Sequence, residues 1–265
     1  MVNASTLIAP AMAALVTCIS TLDSMAGECH LESGPHRVTV VELYTSEGCN
    51  SCPPADRWFS DLPLQGISPE NAVLLAFHVD YWNQLGWPDR FSRAAFSDRQ
   101  RDVAARASHG VTYTPQLVVD GRDLRQGYSV DQLRARLAAI NQEKGQAKIR
   151  ADIHSGANEV RIRGQVEVYG ASVGEGVRTW IASFENGLSS RVTAGENAGK
   201  RLNHDHVVRE LAGPFSIGPD GRIPLDYRIK LPSDWNLERT GIAIFVERSD
   251  TGQVLEAAAR YPLCL

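Results

Sequence analysis

The spacing of hydrophobic residues changes near residue 146, and this change restricts the possible folds of the chain more than any other feature. Before it, β-branched and apolar runs at 37–45, 71–79 and 111–120 are separated by stretches with helical spacing. Strands that alternate with helices predict an α/β domain whose central sheet is mainly parallel and carries helices on both faces. After it, apolar and polar residues alternate with a period of two, which is typical of strands that bury one face.

Seven runs of this second kind follow one another in the C-terminal part. In one of them Val160, Ile162 and Val166 lie on the same side of the strand. Short alternating strands separated by Gly, Asn and Pro predict a β-sandwich. The seven runs are 147–153, 159–168, 177–185, 207–217, 222–231, 240–248 and 254–260. We therefore predict an α/β domain over 27–145 and an all-β sandwich domain over 146–265.

The N-terminal segment predicts export. An almost wholly apolar run over 7–19 is too short to span a bilayer, which takes about 20 residues. Ser24-Met25-Ala26 follows it, with small residues at the two positions that a signal peptidase reads. We predict a signal peptide over 1–26, cleavage near Ala26, a periplasmic or secreted product and no membrane span in the mature chain. A buried N-terminal helix is the alternative.

The chain contains five cysteines, an odd number that cannot be paired completely within the chain. Cleavage near Ala26 would remove Cys18 and leave four in an oxidising compartment. Cys29 and Cys264 lie near the two ends of the mature chain. Because domain termini are often neighbours, we predict a structural disulfide between them. Two free thiols are the alternative.

The charge of the chain limits its partners. Lys and Arg number 27 against 31 Asp and Glu, which gives a formal net charge of -4. No run rich in Lys or Arg forms a local basic patch. Nucleic-acid binding needs such a basic surface, so we predict no nucleic-acid partner.

A C-x-x-C motif, Cys49-Asn50-Ser51-Cys52, follows the first predicted strand and precedes a predicted helix. In that context the motif is typical of thiol–disulfide chemistry, because a helix N-terminus favours a thiolate. We expect Cys49 to be exposed and to act as the nucleophile, and Cys52 to resolve a mixed disulfide. A small inert disulfide is the alternative. Half of a zinc site is disfavoured because no second C-x-x-C is present.

Two features beside the motif, a pair of prolines and an acidic residue, argue against a highly reactive thiol. Pro53 and Pro54 follow Cys52 directly, and a proline disfavours helical geometry in the residue before it. They predict a helix that starts at Pro54, beyond the dithiol. Glu47 is a negative charge two residues before Cys49, which favours a raised thiol pKa.

The motif and its surroundings resemble the thioredoxin superfamily. Tyr44 to Cys52 is similar to the glutaredoxin active-site loop, and Thr114-Pro115 stands where that superfamily has a cis-proline before a strand. The resemblance implies a thioredoxin-like domain with a central mixed sheet and flanking helices. It also implies that Thr114 and Pro115 bind an extended substrate. A trans proline that opens an edge strand is the alternative.

More narrowly, the chain resembles a family of secreted bacterial thioredoxin-like proteins known as domain of unknown function 1223. The resemblance spans almost the whole mature chain and implies the fold much more than an activity. The segments that carry it are 41–56, 77–82 with 85–87, 113–121 and 195–197 with 206–209.

Other polar residues are weaker candidates. Glu42 lies in a central predicted strand, and His78 and Asp80 lie on one side of the next strand near its end. Together they form a possible proton relay for the dithiol, because sites of α/β sheets lie at such strand ends. A Glu at the edge of the sheet and a structural His–Asp pair are the alternatives.

The loop after the second strand holds three aromatic residues, Tyr81, Trp82 and Trp87, which fit a peptide-binding wall or a cap on the core. His204 and His206 have H-x-H spacing, but no third metal ligand accompanies them in the sequence.

The sequence therefore supports a main hypothesis and two alternatives. The main one is an exported thiol–disulfide oxidoreductase that acts on protein thiols or disulfides through Cys49 and Cys52, without cofactor or metal. One alternative is a non-catalytic binding module in which Cys49–Cys52 is structural. The other is a soft-metal, copper-handling protein that uses Cys49, Cys52 and a histidine such as His78.

Overall fold

The computed structural model describes Met1 and residues 27–264, apart from 108–109, 126–128, 157 and 171–175. The predicted signal peptide and its cleavage site near Ala26 lie outside the described residues. Within the described residues, no helix is both long and apolar enough to cross a membrane.

Helices and strands alternate in the first part of the chain, and strands dominate the rest. The helices are α1 (Cys52–Ser60), α2 (Ala94–Arg106) and α3 (Val130–Asn141), with short 3-10 turns at Leu62–Gln65, Asn83–Leu85 and Leu237–Arg239. The strands are β1 (Gly27–Glu32), β2 (Thr39–Thr45), β3 (Ala72–His78), β4 (Gln116–Val119), β5 (Arg122–Asp123), β6 (Ala147–Ser155), β7 (Glu159–Val168), β8 (Val177–Glu185), β9 (Leu188–Arg191), β10 (Arg201–His204), β11 (Val207–Ser216), β12 (Arg222–Lys230), β13 (Thr240–Arg248) and β14 (Val254–Arg260).

A large sheet dominates this mixed α/β fold and contains strands from both sides of residue 146. Its order is β14-β13-β8-β11-β3-β2-β4-β5. The β2–β3 and β3–β11 pairs are parallel, and the other pairs are antiparallel. The prediction of a mainly parallel sheet is therefore wrong. Short connections such as the one between β4 and β5 allow only antiparallel pairing, and they outnumber the helical crossovers.

A second sheet, in the order β1-β6-β7-β12, is antiparallel throughout. Its inward side chains, such as Val160 and Ile162, pack against Ile181 and Ile244 of the large sheet. The predicted sandwich layers are thus present, but one layer belongs to the large sheet and the other includes β1. The division at residue 145 stays a prediction.

The helices lie on opposite faces of the β4–β2–β3 part of the large sheet. Phe96 of α2 packs with Tyr44 and Phe77 on one face. Phe59 of α1 packs with Leu43 on the other face, together with residues of α3. The turn between β2 and α1 therefore lies at the carboxyl end of a central strand, where α/β sheets place their sites.

Most strand limits agree with the predictions, and one difference has a local cause. The limits of β7, β8, β13 and β14 are those of the predicted runs. The strand predicted over 111–120 begins only at Gln116, because the chain before it follows an irregular path that ends in a cis Thr114–Pro115 bond. The predicted turn at Asp120-Gly121 is present, with φ of 56° and 71° at its two residues.

The predicted Cys29–Cys264 disulfide is confirmed. The two Cα atoms are 5.5 Å apart, and the bond joins residues 235 positions apart in the chain. Cys29 lies on β1 and is buried. The bridge fixes the end of the chain to the first strand of the smaller sheet.

A carboxyl group of β14 is buried against the start of β2. Oε1 of Glu256 accepts hydrogen bonds from the backbone N–H groups of Val38 (3.0 Å) and Ala257 (3.1 Å). Oε2 is also buried and has no hydrogen-bond partner among the described residues. Burial raises the pKa of Glu256 to about 7, although the two N–H groups act in the opposite direction.

This pKa predicts a pH-dependent stability. A carboxyl group whose folded pKa is raised stabilises the fold below its unfolded pKa, and this contribution is lost as the pH rises through about 7. We expect Glu256→Gln to remove a decrease of at most about 1.4 kcal/mol per pH unit between those values. Urea unfolding at several pH values measures the slope. Glu28→Gln, at an exposed position of β1, is the control, and an unchanged slope in Glu256→Gln would contradict the prediction.

Candidate functional site

The C-x-x-C segment forms the turn between β2 and α1. β2 ends at Thr45, and α1 begins at Cys52 with Ser51 as its N-cap residue. The predicted helix start at Pro54 is therefore wrong. Prolines are tolerated in the first helical turn, because the N–H groups that they lack would have no intrahelical acceptor there. Cys52 thus belongs to the helix, with Pro53 and Pro54 inside its first turn.

Cys49 and Cys52 are joined by a disulfide, with their Cα atoms 5.4 Å apart. Both residues have a relative exposure of 0%, whereas Asn50 and Ser51 between them are exposed. Cys49 Sγ lies 3.3 Å from Ser51 Oγ. The expectation that Cys49 is exposed is therefore wrong.

A loop from the C-terminal half is bound to the C-x-x-C turn. This covering loop, residues 192–200, connects β9 to β10. Its Asn197 is fully buried, and Nδ2 donates to the backbone oxygens of Glu47 and Cys49, both at 2.9 Å. Glu196 Oε2 accepts a hydrogen bond from the backbone N–H of Asn50 (3.1 Å). The turn that carries the disulfide is therefore enclosed by residues almost 150 positions further along the chain.

Glu47 links the turn to His204 of β10. Its Oε1 lies 3.2 Å from His204 Nε2, and its Oε2 accepts a hydrogen bond from Trp87 Nε1 (2.8 Å). Burial alone would raise the pKa of Glu47, but hydrogen bonds from His204, Ser190 and Trp87 lower it below its usual value. Glu47 is therefore a buried, paired carboxylate.

A second histidine–carboxylate pair lies beside the first. His78 Nδ1 is 2.6 Å from Asp89 Oδ2, and this oxygen also accepts the backbone N–H of Glu47 (2.9 Å). Burial alone would lower the pKa of His78, but the charge and hydrogen bond of Asp89 raise it above its usual value. Burial alone would raise the pKa of Asp89, and the charge of His78 lowers it. The rings of His78 and His204 meet edge to face at 4.9 Å.

Asp56 completes this group, which we name the His–carboxylate cluster (Glu47, Asp56, His78, Asp89 and His204). Asp56 lies four residues after Cys52 on α1, and its Oδ1 accepts a hydrogen bond from Thr45 Oγ1 (2.6 Å). Burial raises the pKa of Asp56, and the charges of His204 and His78 offset part of this effect.

The cluster contains three polar atoms that its own hydrogen bonds leave unsatisfied. Asp56 Oδ2, His78 Nε2 and His204 Nδ1 are buried without a hydrogen-bond partner among the described residues. Asp56 Oδ2 and His204 Nδ1 are 3.7 Å apart. The cluster therefore places an unsatisfied carboxyl oxygen and an unsatisfied imidazole nitrogen close together beside the disulfide-bearing turn.

An aromatic side chain connects the turn to the predicted substrate-binding residues. Trp82 Nε1 donates a hydrogen bond to Thr114 Oγ1 (2.8 Å). The same tryptophan packs on Gly48, where an added Cβ would lie only 3.0 Å from Trp82 Cβ. The Thr114–Pro115 bond is cis, as the resemblance implied, and β4 begins directly after it. Thr114 is thus joined to the C-x-x-C turn through Trp82.

Glu42 belongs to another buried group. Its carboxylate accepts hydrogen bonds from Arg99 Nε (2.8 Å) and Tyr44 OH (2.7 Å). Arg99 also donates to Glu247 Oε2 (2.9 Å) on β13. Glu42 shares the α2 face of the sheet with Tyr44, whereas α1 packs on the opposite face. Its partners therefore lie away from the helix that starts at Cys52.

The remaining candidates have separate surroundings. Asp80 accepts a hydrogen bond from Ser97 Oγ (2.5 Å), so it does not form the structural pair with His78 that the sequence suggested. His206 packs edge to face against Phe59 instead of sharing the partners of His204. Among the residues that the structure describes, no three His, Cys, Asp or Glu side chains are arranged to hold a metal ion.

A family model described as a protein of unknown function, DUF1223, matches residues 40–247. The chain belongs to the DUF1223 family. The match begins in β2 and ends in β13, so it contains the C-x-x-C turn, the His–carboxylate cluster and the covering loop. No curated protein matches this DUF1223 chain.

Solved structures are similar to this DUF1223 protein. A crystal structure of a protein from Agrobacterium tumefaciens is 27% identical, with a TM-score of 0.58, and the match covers 83% of this chain and 92% of that one. HBP35 of Porphyromonas gingivalis is 13% identical, with a TM-score of 0.66, and the match covers 87% of this chain and 76% of that one. The second similarity concerns the fold alone.

Sequence reasoning missed that Asn197 binds the C-x-x-C turn of this DUF1223 protein. Asn197 was part of a family segment, but neither its spacing nor its residue type indicates that it binds two backbone oxygens of the C-x-x-C turn. The H-x-H spacing groups His204 with His206, but the chain leaves strand geometry between β10 and β11, where His206 has φ of 58°, and the two rings have different partners. Asp56 follows Cys52 by one helical turn, and this spacing could have indicated it.

Proposed function

We propose that this DUF1223 protein is an exported thiol–disulfide redox protein with a thioredoxin-like domain, and that Cys49–Cys52 is its redox pair. The observation that carries the proposal is the disulfide across the turn that starts α1, with the His–carboxylate cluster beside it. A disulfide that changes state needs nearby groups that supply and accept protons. A purely structural bridge does not need them.

The chemistry is a two-electron exchange. In the reduced protein the Cys49 thiolate attacks a disulfide of the partner, forms a mixed disulfide and releases one partner thiolate. The Cys52 thiolate then attacks Cys49 Sγ, which restores the Cys49–Cys52 bond and releases the second partner thiolate. The partner is reduced by two electrons and the protein is oxidised by two. A dithiol partner drives the reverse reaction.

The cluster supplies the protons for this exchange. Asp56 lies one helical turn from Cys52, and burial favours its protonated form. His204 connects Asp56 to Glu47, which lies two residues before Cys49. Of the three predicted relay residues, His78 remains in the proposal through its pair with Asp89. Glu42 and Asp80 have other partners and are assigned no step.

The partner polypeptide would bind beside the cis-proline. Thr114 and Pro115 precede β4, and Trp82 joins Thr114 to the C-x-x-C turn. Because both cysteines are fully buried in the disulfide form, a partner reaches Cys49 only after the covering loop separates from the turn.

Redox titration and trapping test this proposal. We expect the Cys49–Cys52 pair to equilibrate between about −120 and −270 mV in glutathione or dithiothreitol buffers, as thiol–disulfide oxidoreductases do. A Cys52→Ala variant should accumulate mixed disulfides through Cys49 in periplasmic extract. The control is the variant that carries both Cys49→Ala and Cys52→Ala, which should form none. An absence of adducts together with a potential below about −300 mV would contradict the proposal.

The complete burial of Cys49 and Cys52 favours a second candidate, a binding module in which the bridge is structural. In that case the pair resists glutathione-range buffers, and the stability of the protein falls when the bridge is reduced. The same titration separates the two functions.

A further inference from the structure

A largely apolar pocket of about 390 Å³ lies away from the C-x-x-C turn. It opens where the segment after α1 meets the ends of β3, β8 and β14. Leu64 stands at its rim with 83% exposure, and the rings of Phe184 and Tyr261 form one wall, with centroids 5.8 Å apart and planes at 30°. Cavities of this size and lining are typical of sites for small molecules.

His206 lies in the wall of this pocket and, unlike the other polar residues that line it, is more than nine-tenths buried. Its ring packs edge to face against Phe59 at 5.8 Å and at an angle against Phe184 at 6.3 Å. No hydrogen-bond partner of the ring nitrogens is found among the residues that the structure describes, and neither nitrogen is a fully enclosed, unpaired atom. A ring nitrogen can therefore be reached from the pocket and can hydrogen-bond to a ligand there.

The backbone holds His206 in place. Its φ is 58°, a left-handed conformation that is uncommon for residues other than glycine. Its N–H donates to Asn186 Oδ1 (2.6 Å), and its carbonyl oxygen accepts a hydrogen bond from the N–H of Ala76 (2.8 Å). Residues kept in such conformations cluster at functional sites. The chain therefore adopts an uncommon geometry that fixes this ring between two aromatic residues.

The ring is uncharged at neutral pH. Burial lowers the pKa of His206 to about 4, although the charge of Asp205 acts in the opposite direction. A neutral imidazole can accept a hydrogen bond from a hydroxyl group at one nitrogen. Asp205 also lines the pocket, and its carboxylate would repel an anion. Oδ1 of Asp205 already accepts the N–H of Gly187 (2.7 Å), and the rest of the lining is mainly apolar, so the pocket is suited to an uncharged ligand.

We propose that this pocket binds an uncharged, mainly aromatic molecule with a hydroxyl group that hydrogen-bonds to the His206 ring. The aromatic wall of the pocket packs against the flat apolar body of this ligand, and the imidazole accepts the hydrogen bond of its hydroxyl group. His204, two residues earlier, contacts Glu47 of the redox site, so the two histidines serve separate sites. The pocket does not depend on the function proposed for Cys49–Cys52.

Two probe molecules test the ligand class. 2-Naphthol and naphthalene have the same ring system and differ by one hydroxyl group. We expect both to bind the whole mature protein in calorimetric titration, with 2-naphthol binding more tightly. His206→Phe should weaken 2-naphthol binding by roughly fivefold and leave naphthalene binding unchanged, because it removes one neutral hydrogen bond.

A second variant keeps the test decisive if His206→Phe does not fold. Ala259 lines the pocket on β14 and is only partly buried, so Ala259→Phe should fill the cavity and abolish binding of both probes. Three results would overturn the proposal. They are absence of binding by either probe, unchanged 2-naphthol binding in both variants, and a concentration-dependent dimer that excludes 2-naphthol. The Cys49→Ala variant should bind both probes normally, which separates this site from the redox function.

Discussion

Replacing Arg99 with leucine is expected to lower the free energy of unfolding by about 3–5 kcal/mol. Arg99 of α2 lies fully inside the protein between Glu42 of β2 and Glu247 of β13. It is also stacked near the ring of Phe245, 5.1 Å from the ring centroid. The change leaves two carboxylates buried without their cation, and desolvated unpaired charges are among the most costly defects in a protein interior.

Chemical denaturation followed by circular dichroism measures this effect. The matched control is Arg101→Leu, two residues further along α2, because Arg101 and its partner Asp98 are both exposed. Exposed ion pairs contribute between about 0 and 1 kcal/mol, so the control should remain close to the parent protein. Adding Glu42→Gln and Glu247→Gln to Arg99→Leu should recover much of the loss. Equal destabilisation by Arg99→Leu and Arg101→Leu would contradict the account of this buried group.

Asn197→Ala is expected to speed reduction of the Cys49–Cys52 disulfide by roughly 10- to 100-fold. The amide of Asn197 binds the backbone oxygens of Glu47 and Cys49 and is fully buried. Alanine removes both hydrogen bonds, so separation of the covering loop from the turn costs less free energy. Because a reductant reaches the sulfurs only after this separation, the rate should rise with the population of the open form.

The rate can be followed by quenching with an alkylating agent during reaction with dithiothreitol, with mass analysis of the products. Asn203→Ala is the matched control, since Asn203 lies on β10 beside the covering loop but is exposed. It should react at the rate of the parent protein. If Asn197→Ala reacts no faster than Asn203→Ala, the covering loop does not limit access. The rate at which the Cys29–Cys264 bridge is reduced in the same sample provides an internal reference.

The parts of the fold that depend on local patterns could be predicted from the sequence. β7 alternates between buried and more exposed side chains along most of its length, so its limits followed from periodicity. The Cys29–Cys264 bridge followed from the position of two cysteines and the proximity of termini. In the first case the prediction needs only the pattern of a few consecutive residues. In the second it needs only the general rule that domain termini are often neighbours.

The parts that depend on long-range contacts could not be predicted. The burial of Cys49 results from packing in which Asn197, 148 residues away, takes part. Sequence periodicity does not show which loop folds over which turn. His204 was grouped with His206 by spacing, but its function in the site follows from its contact with Glu47, 157 residues away. The sequence places Glu42 in a central strand, but it does not show that Arg99 of α2 is its buried partner.

The parallel pairing of β3 with β11 has a consequence for how the chain is produced and degraded. β3 is buried on both faces, and its edge toward β11 is occupied only by a strand made more than 120 residues later. A nascent or truncated chain that ends at residue 145 would leave this edge of a very apolar strand without β11. Such an edge is a template for intermolecular β-pairing. Proteolysis between β3 and β11 would therefore yield an aggregation-prone fragment.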